Sequence, residues 1–290
     1  MELALPITVY WDLASATPLD ATLLRLCDEI VECRPLMLQL YDPSLLLGEG
    51  TRAILERFKG SGIAVSLTLT SSCLAAIAAA SDSPLDELAV KELLVACDSL
   101  ATFRALPILP EVGLAFFTTP ANWRELPQVV ALCRERGVTR LVLPMQRLYQ
   151  GEEPFLLDKA QQELLAHELT AVGGRGGLRL TIHDPFLWRA FNPQTPFPQG
   201  GCQAANTMIA ISPAGGVYPC PTLPVRIGQI GSTSLKEIIS SPVKKELRKR
   251  IVGQPAACDG CREIAVCRGG CRGRSYVRHG SLDGIDDACR

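Results

Sequence analysis

Cysteine is spread unevenly along this chain, and that unevenness constrains the fold more than any other feature. Of twelve cysteines, five (Cys27, Cys33, Cys73, Cys97 and Cys133) fall in residues 1–201 and seven in residues 202–290, at about three times the density. Four of the seven are tightly spaced, as Cys258-x2-Cys261-x5-Cys267-x3-Cys271, and Cys289 follows after seventeen residues. Upstream, Cys202 is followed by twelve residues, Gly215, four more residues and Cys220. The end of the chain is rich in Cys, Gly and Arg and has little apolar periodicity, so something other than a hydrophobic core must hold it. Short Cys-x2-Cys and Cys-x3-Cys loops turn successive thiolates toward one centre, and soft thiolates select iron–sulfur clusters, zinc or Cu(I). Gly269-Gly270, just before Cys271, supplies the backbone freedom for a tight wrap. Seven ligands are one short of two four-thiolate sites. The site with three cysteines would have an open iron, a non-cysteine ligand or a bound substrate atom. The alternative is a pair of zinc sites that staple a small domain.

The compartment decides between metal ligation and disulfides. The start, Met1-Glu2-Leu3-Ala4-Leu5-Pro6, lacks a basic segment and a cleavage pattern. No run of about 18 or more apolar residues suggests a membrane helix. A cytoplasmic, reducing location is expected, where clustered cysteines are metal ligands or catalytic groups. The net charge of −1 pulls the chain toward neither nucleic acid nor a membrane surface.

The first two thirds alternate short apolar runs with longer helical patterns. Strands are predicted at 7–13, 36–41, 63–69, 93–97, 112–117, 139–143 and 178–182. Helices are predicted between most of them, best at 19–33, 44–59, 122–136 and 158–171. At about 25 to 35 residues per unit this rhythm implies parallel strands with helical crossovers. The expected fold class is α/β: a partial parallel (β/α) barrel of about six units over 1–182, not separable by pattern alone from a doubly wound sheet. Residues 183–201, with four prolines and two glycines, read as a linker or irregular wrap. The small α+β remainder, 202–290, begins with a hairpin, 208–212 and 217–220, around Pro213-Ala214-Gly215-Gly216. Helices follow at 234–240 and 243–251.

The segment Cys202–Cys289 resembles a SPASM domain, the auxiliary-cluster domain at the end of many radical-SAM maturases. The resemblance is carried by the Gly215–Cys220 turn (GGVYPC), the stretch Ile227–Ile238 (IGQIGSTSLKEI), the four-cysteine run and the isolated last cysteine. It implies two 4Fe-4S clusters with interleaved ligands. Cys202, Cys220 and Cys271 would hold the first; Cys258, Cys261, Cys267 and Cys289 would hold the second. Some relatives place a fourth cysteine of the first cluster six residues after the first. Here that position is Met208.

The same resemblance implies a radical-SAM barrel upstream, and the front matches one in outline only. A strand like Val9-Tyr10-Trp11-Asp12-Leu13 would lead into a CxxxCxxC loop whose thiolates bind the SAM-cleaving cluster. The matching positions are Thr17, Ala21 and Leu24, and no cysteine occurs before Cys27. Cys27 and Cys33 have the wrong spacing and lie where a helix would bury them as core thiols. The Gly-Gly-Glu-Pro turn that would hold the SAM amino group is matched by Leu40-Tyr41-Asp42-Pro43, where only the proline persists. The barrel is therefore expected to be degenerate, without bound S-adenosylmethionine and without radical-SAM activity of its own. This combination resembles the SPASM-domain companion proteins of GeoRSP peptide-modification systems. It implies an electron-transfer or substrate-anchoring partner of a separate, intact radical-SAM enzyme acting on a peptide.

Two alternatives belong to other classes. One is a stand-alone enzyme using an open iron of the first cluster as a Lewis acid, with His183 or Asp184 assisting. The other is a zinc-stapled scaffold. Of the remaining features, the basic run Lys244–Arg250 reads as a solvated helix face. Arg262, Arg268, Arg272, Arg274 and Arg278 lie among the ligands, where cations would raise a cluster's potential. His279 is a spare ligand at most.

Overall fold

The computed structural model of the chain describes residues 3–79, 90–107, 111–174, 176–198 and 200–289. The predicted rhythm is present. In chain order the first part holds β1 (Thr8–Asp12), α1 (Ala21–Cys33), β2 (Met37–Asp42), α2 (Glu49–Phe58), β3 (Ala64–Thr70), α3 (Ser71–Ala79), β4 (Glu92–Cys97) and α4 (Leu100–Ala105). It continues with β5 (Val112–Phe116), α5 (Leu126–Glu135), β6 (Arg140–Leu143), α6 (Lys159–Ala171), β7 (Arg179–Ile182) and α7 (Pro185–Phe191). The last part holds β8 (Met208–Ile211), β9 (Gly216–Tyr218), β10 (Gly228–Gln229), α8 (Leu235–Ser240), α9 (Pro242–Val252), α10 (Ile264–Cys267) and α11 (Arg272–His279). The fold is α/β with mostly parallel strands, the class expected from the sequence. Among the described residues no helix is long and apolar enough to cross a membrane.

The chain divides into two compact units. The first is Met1–Ala96, Ala204–Cys220 and Val225–Arg248; the second is Cys97–Gln203, Pro221–Pro224 and Lys249–Arg290. In the first, β1 pairs in parallel with β2 and with β8, β2 with β3, and β3 with β4, while β8, β9 and β10 are antiparallel. Burial alternates along β2: Leu38, Leu40 and Asp42 are buried, and Met37, Gln39 and Tyr41 only half so. The two-residue period puts the apolar set on one face. The other face carries a polar row in register, Tyr10–Gln39–Ser66–Glu92, closed by a Ser66 Oγ donation to Glu92 Oε2 at 3.0 Å. α1 starts at Ala21 because Asp20 caps it, accepting from the Leu23 N–H at 2.8 Å. Its buried stripe is Leu23, Leu26, Cys27, Ile30 and Cys33. The basic run on α9 departs from expectation. Lys244 and Arg248, one turn apart, are buried with Leu247 and Ile251, and Arg248 donates to the Ala204 carbonyl at 3.1 Å. Long cationic stems bury readily when the head finds an acceptor, which charge counting along a sequence overlooks.

In the second unit β5, β6 and β7 pair in parallel, Leu114 opposite Leu141 and Leu141 opposite Leu180. Within 183–201, read above as linker or irregular wrap, the structure has a helix. Asp184 caps α7 by accepting from the N–H groups of Phe186 and Leu187 at 2.9 and 3.0 Å, and Pro185 takes the first helical position. Phe186 meets Phe197 edge to face, ring centroids 5.7 Å apart, and Ala288 completes that small core. The proline count obscured an Asp-Pro helix start, and the prolines that do break structure come after it.

Candidate metal centre

Four of the predicted ligands come together in the second unit. Cys258 closes a 3-10 turn, and Cys261 follows with its N–H donating to the Cys258 carbonyl at 3.2 Å. Cys267 ends α10. The next three residues, Arg268, Gly269 and Gly270, all have left-handed backbone (φ 52°, 88° and 67°) and reverse the chain toward Cys271. A Cβ on Gly269 would lie 2.6 Å from Pro255 Cγ, and one on Gly270 2.6 Å from Asp286 Oδ2, so the glycine pair serves space as well as conformation. Cys289 lies on a 3-10 turn, its N–H donating to the Asp286 carbonyl at 2.8 Å. Cys258, Cys261, Cys267 and Cys289 line one cavity, walled also by Ile264, Gly269 and Ile285, with about 300 Å³ of empty space partly open to solvent.

Burial and mutual charge act together on these thiols. Burial pushes the Cys289 thiol up, and charge on Cys267, Cys261 and Cys258 pushes it further. Burial raises Cys258 as well, with Arg272 opposing and charge on Cys261 adding. Cys267 is raised by burial against the Gly269 and Gly270 N–H groups, which point at its sulfur. Cys258, Cys267 and Cys289, each pushed up, need cationic compensation to ionise together, which metal ions would supply. Among the described residues no three His, Cys, Asp or Glu side chains converge as a grip on one metal ion. The four thiols ring a void, and backbone donors face a sulfur. This donor set fits a thiolate-ligated cluster, with Cys258, Cys261, Cys267 and Cys289 as its holders.

The other three predicted ligands are placed unit by unit. Cys202 and Cys271 are half-buried in the second unit. Cys271 caps α11 and donates its N–H to Asp286 Oδ2 at 2.7 Å. Cys220 is buried in the first unit, just after β9, and Met208 opens β8.

Sequence reading missed the group that braces this region. Asp286 is 1% exposed and accepts from Cys271 N–H, from Ala288 N–H at 3.3 Å, and from Arg274 Nε and Nη2 at 3.0 and 2.8 Å. Arg274 also pairs with Asp184. One carboxylate thus ties the Cys271 turn to the Cys289 turn, and one guanidinium ties both to the start of α7. The available signal was an aspartate three residues before the last cysteine. Asp184 is spent on this pairing and on its helix cap. His183 is held below its usual range by desolvation first and by the Arg140 guanidinium second. His279 is hydrogen-bonded to Asp287 Oδ1 at 3.1 Å.

At the front, Thr17 lies in the β1–α1 loop with its hydroxyl donating to the Ala14 carbonyl at 3.0 Å, while Ala21 and Leu24 belong to α1. The Asp42 carboxylate is fully buried, accepting from Ser44 N–H at 2.9 Å and Thr51 Oγ at 2.7 Å, so it braces the turn into α2.

Residues 202–262 match the SPASM family model, an iron–sulfur cluster-binding domain. The chain carries that domain. No curated protein matches the chain in sequence. Solved structures match in fold. SuiB of Streptococcus suis bound to its precursor peptide SuiA superposes with a TM-score of 0.67 at 14% identity, covering 100% of this chain and 77% of that one. SuiB bound to S-adenosylmethionine gives 0.65 at 14%, covering 100% and 78%. Native anSMEcpe with bound AdoMet gives 0.60 at 13%, covering 97% and 94%. The mostly parallel α/β architecture is thus shared with these proteins, as a radical-SAM-like fold.

Proposed function

We propose that this chain holds two 4Fe-4S clusters and serves a separate radical-SAM enzyme acting on a peptide, relaying electrons or anchoring the substrate. The observation that carries the reading is a contrast within one chain. Four cysteines ring a cavity with backbone donors at its edge, while Thr17, Ala21 and Leu24 stand where a SAM-cleaving cluster would need three more. Cys258, Cys261, Cys267 and Cys289 would hold one cluster. Cys202, Cys220 and Cys271 would hold the other, for which Met208 offers no thiolate. When bound, such clusters supply one-electron chemistry at a potential set by charge and hydrogen bonds around the sulfurs. The precursor peptide named with SuiB supports a peptide as the substrate class, and the altered front supports a radical step carried out by a partner. A reducing, cytoplasmic setting suits thiolate ligands of this kind.

Anaerobic purification with iron, sulfide and zinc counts, and a SAM titration on the same sample, tests this. About eight irons and eight sulfides without SAM binding is the expected result for two four-iron clusters. About twelve irons, or SAM cleavage on reduction, would show that the front has kept its chemistry. A colourless zinc protein without sulfide would end the electron-transfer reading.

A further inference from the structure

A guanidinium shut away from water normally forms an ion pair with a carboxylate; among the described residues Arg272 forms none. It is 1% exposed, the largest of the fully buried side chains. Nη1 donates to the Leu282 carbonyl at 3.0 Å and Nη2 to the Gly253 carbonyl. Nε is buried with no hydrogen-bond partner. Neutral carbonyls therefore satisfy part of the fork and leave one N–H without an acceptor among the described residues, which is costly for a buried cation. Its neighbour Arg274 differs: that guanidinium is matched by Asp184 and Asp286.

The surroundings of Arg272 say what is missing. A Cβ on Gly269 would lie 3.0 Å from Nη1, and Gly269 is itself a wall of the four-cysteine cavity. Gly269 stands between Cys267 and Cys271, and Arg272 directly follows Cys271, so the guanidinium lies against the cysteine-bearing turn that walls the cavity.

We propose that Arg272 is the counter-cation of the cluster held by Cys258, Cys261, Cys267 and Cys289, with its Nε–H donating to a thiolate or sulfide sulfur there. It is a positioning and tuning residue. Its charge and hydrogen bond favour the more negative, reduced state and so raise the reduction potential. The inference rests on the two-cluster reading and adds to it the residue that sets one potential.

The test uses the full chain, anaerobically reconstituted, as wild type, R272K and R272Q. Each sample is analysed for iron and sulfide and titrated redox-wise under EPR. The expected result is unchanged iron, with one midpoint lowered. R272Q should reduce the reduced-to-oxidised ratio at fixed potential about tenfold, which is 59 mV for a one-electron couple. R272K, which keeps a charge, should shift it less. Equal midpoints in all three overturn the proposal and leave the two-cluster reading standing. A wild type without acid-labile sulfide overturns the two-cluster reading instead. A merely structural hold on the Gly253 and Leu282 carbonyls would not move a midpoint. If the variants fail to load iron, the wild type decides: with arginine labelled by nitrogen-15 at Nε, pulsed EPR of the reduced cluster should show a weak nitrogen-15 coupling, and its absence overturns the proposal.

Discussion

The five cysteines of residues 1–201 are all buried, and of the seven that follow only Cys220 and Cys258 are. Cys27, Cys33, Cys73, Cys97 and Cys133 are all buried, none above 3% exposed. Burial is the first cause that pushes their thiols up, to about 12, 11, 11, 12 and 12 in that order. They serve as small apolar side chains in helix stripes and strands. Of the later seven, Cys220 and Cys258 are buried, Cys202, Cys261, Cys267 and Cys271 are half-buried, and Cys289 is exposed. Cys258 and Cys289 close 3-10 turns, Cys267 ends α10 and Cys271 caps α11, so backbone conformation at element ends sets where these side chains point. The lesson is that a candidate ligand thiol is marked by its company and its place at an element end, with access second. Spacing in sequence signals both, and number alone signals neither.

The contrast is tested most severely by alkylation after iron removal. At pH 8, a thiol with a pKa of 11 to 12 is ionised to only about one part in a thousand to ten thousand. Iodoacetamide should modify exposed Cys289 and half-buried Cys261 well before the fully buried Cys27 or Cys133, as read by mass spectrometry of peptides. Comparable rates would mean that the front thiols are not core residues. The next largest effect belongs to the brace. In D286A, Arg274 keeps only Asp184, and the Cys271 and Cys289 turns lose their common acceptor. Breaking a buried ion pair from one side costs about 3–5 kcal/mol. Amide hydrogen exchange should rise across Lys249–Cys289 and stay unchanged in β1, β2 and β3; a uniform rise would show that the brace is not local. Third, C261S should lose the cluster of its cavity and about half of the iron, whereas C97S should keep it all, because metal binding and local folding are one equilibrium at ligand positions only.

Most of the strands were legible. Seven apolar runs predicted from pattern correspond to β1 through β7, each within a residue or two at its ends. Buried parallel strands write themselves as apolar runs. The four cysteines that line one cavity are the four that the family resemblance groups together; their spacing alone marks a metal-ligating turn without saying which thiols share a centre. What escaped were pairings between distant residues. Asp286 with Arg274, Asp184 with Arg274, and Arg248 with the Ala204 carbonyl span from 12 to 90 positions. No local pattern encodes them. The helix at Pro185 escaped for another reason: a count of prolines hides which one stands at a first helical turn and which follow a helix end.

The smallest effect separates the two kinds of thiol by pH. Cys133 is fully buried, and C133A removes one sulfur from a packed site, a loss of about 1 kcal/mol on the scale of single core-group deletions. The sign of the pH dependence follows from the raised pKa. In the native state Cys133 keeps its proton up to about 12, whereas the ordinary thiol value is 9.0. Below pH 9 both states are protonated and the buried thiol contributes in full. Between pH 9 and 12 the unfolded state releases the proton and the native state does not, so stability falls as pH rises. At pH 10 that loss is about 1.4 kcal/mol for one such thiol, one pH unit past the unfolded value. Alanine has no proton to lose. C133A should therefore be less stable than wild type at pH 7 and nearly equal at pH 10, measured by urea denaturation of the reduced protein. A gap that stays constant with pH would place Cys133 in a solvated site, and with it the division between core thiols and ligand thiols would fail at its clearest member.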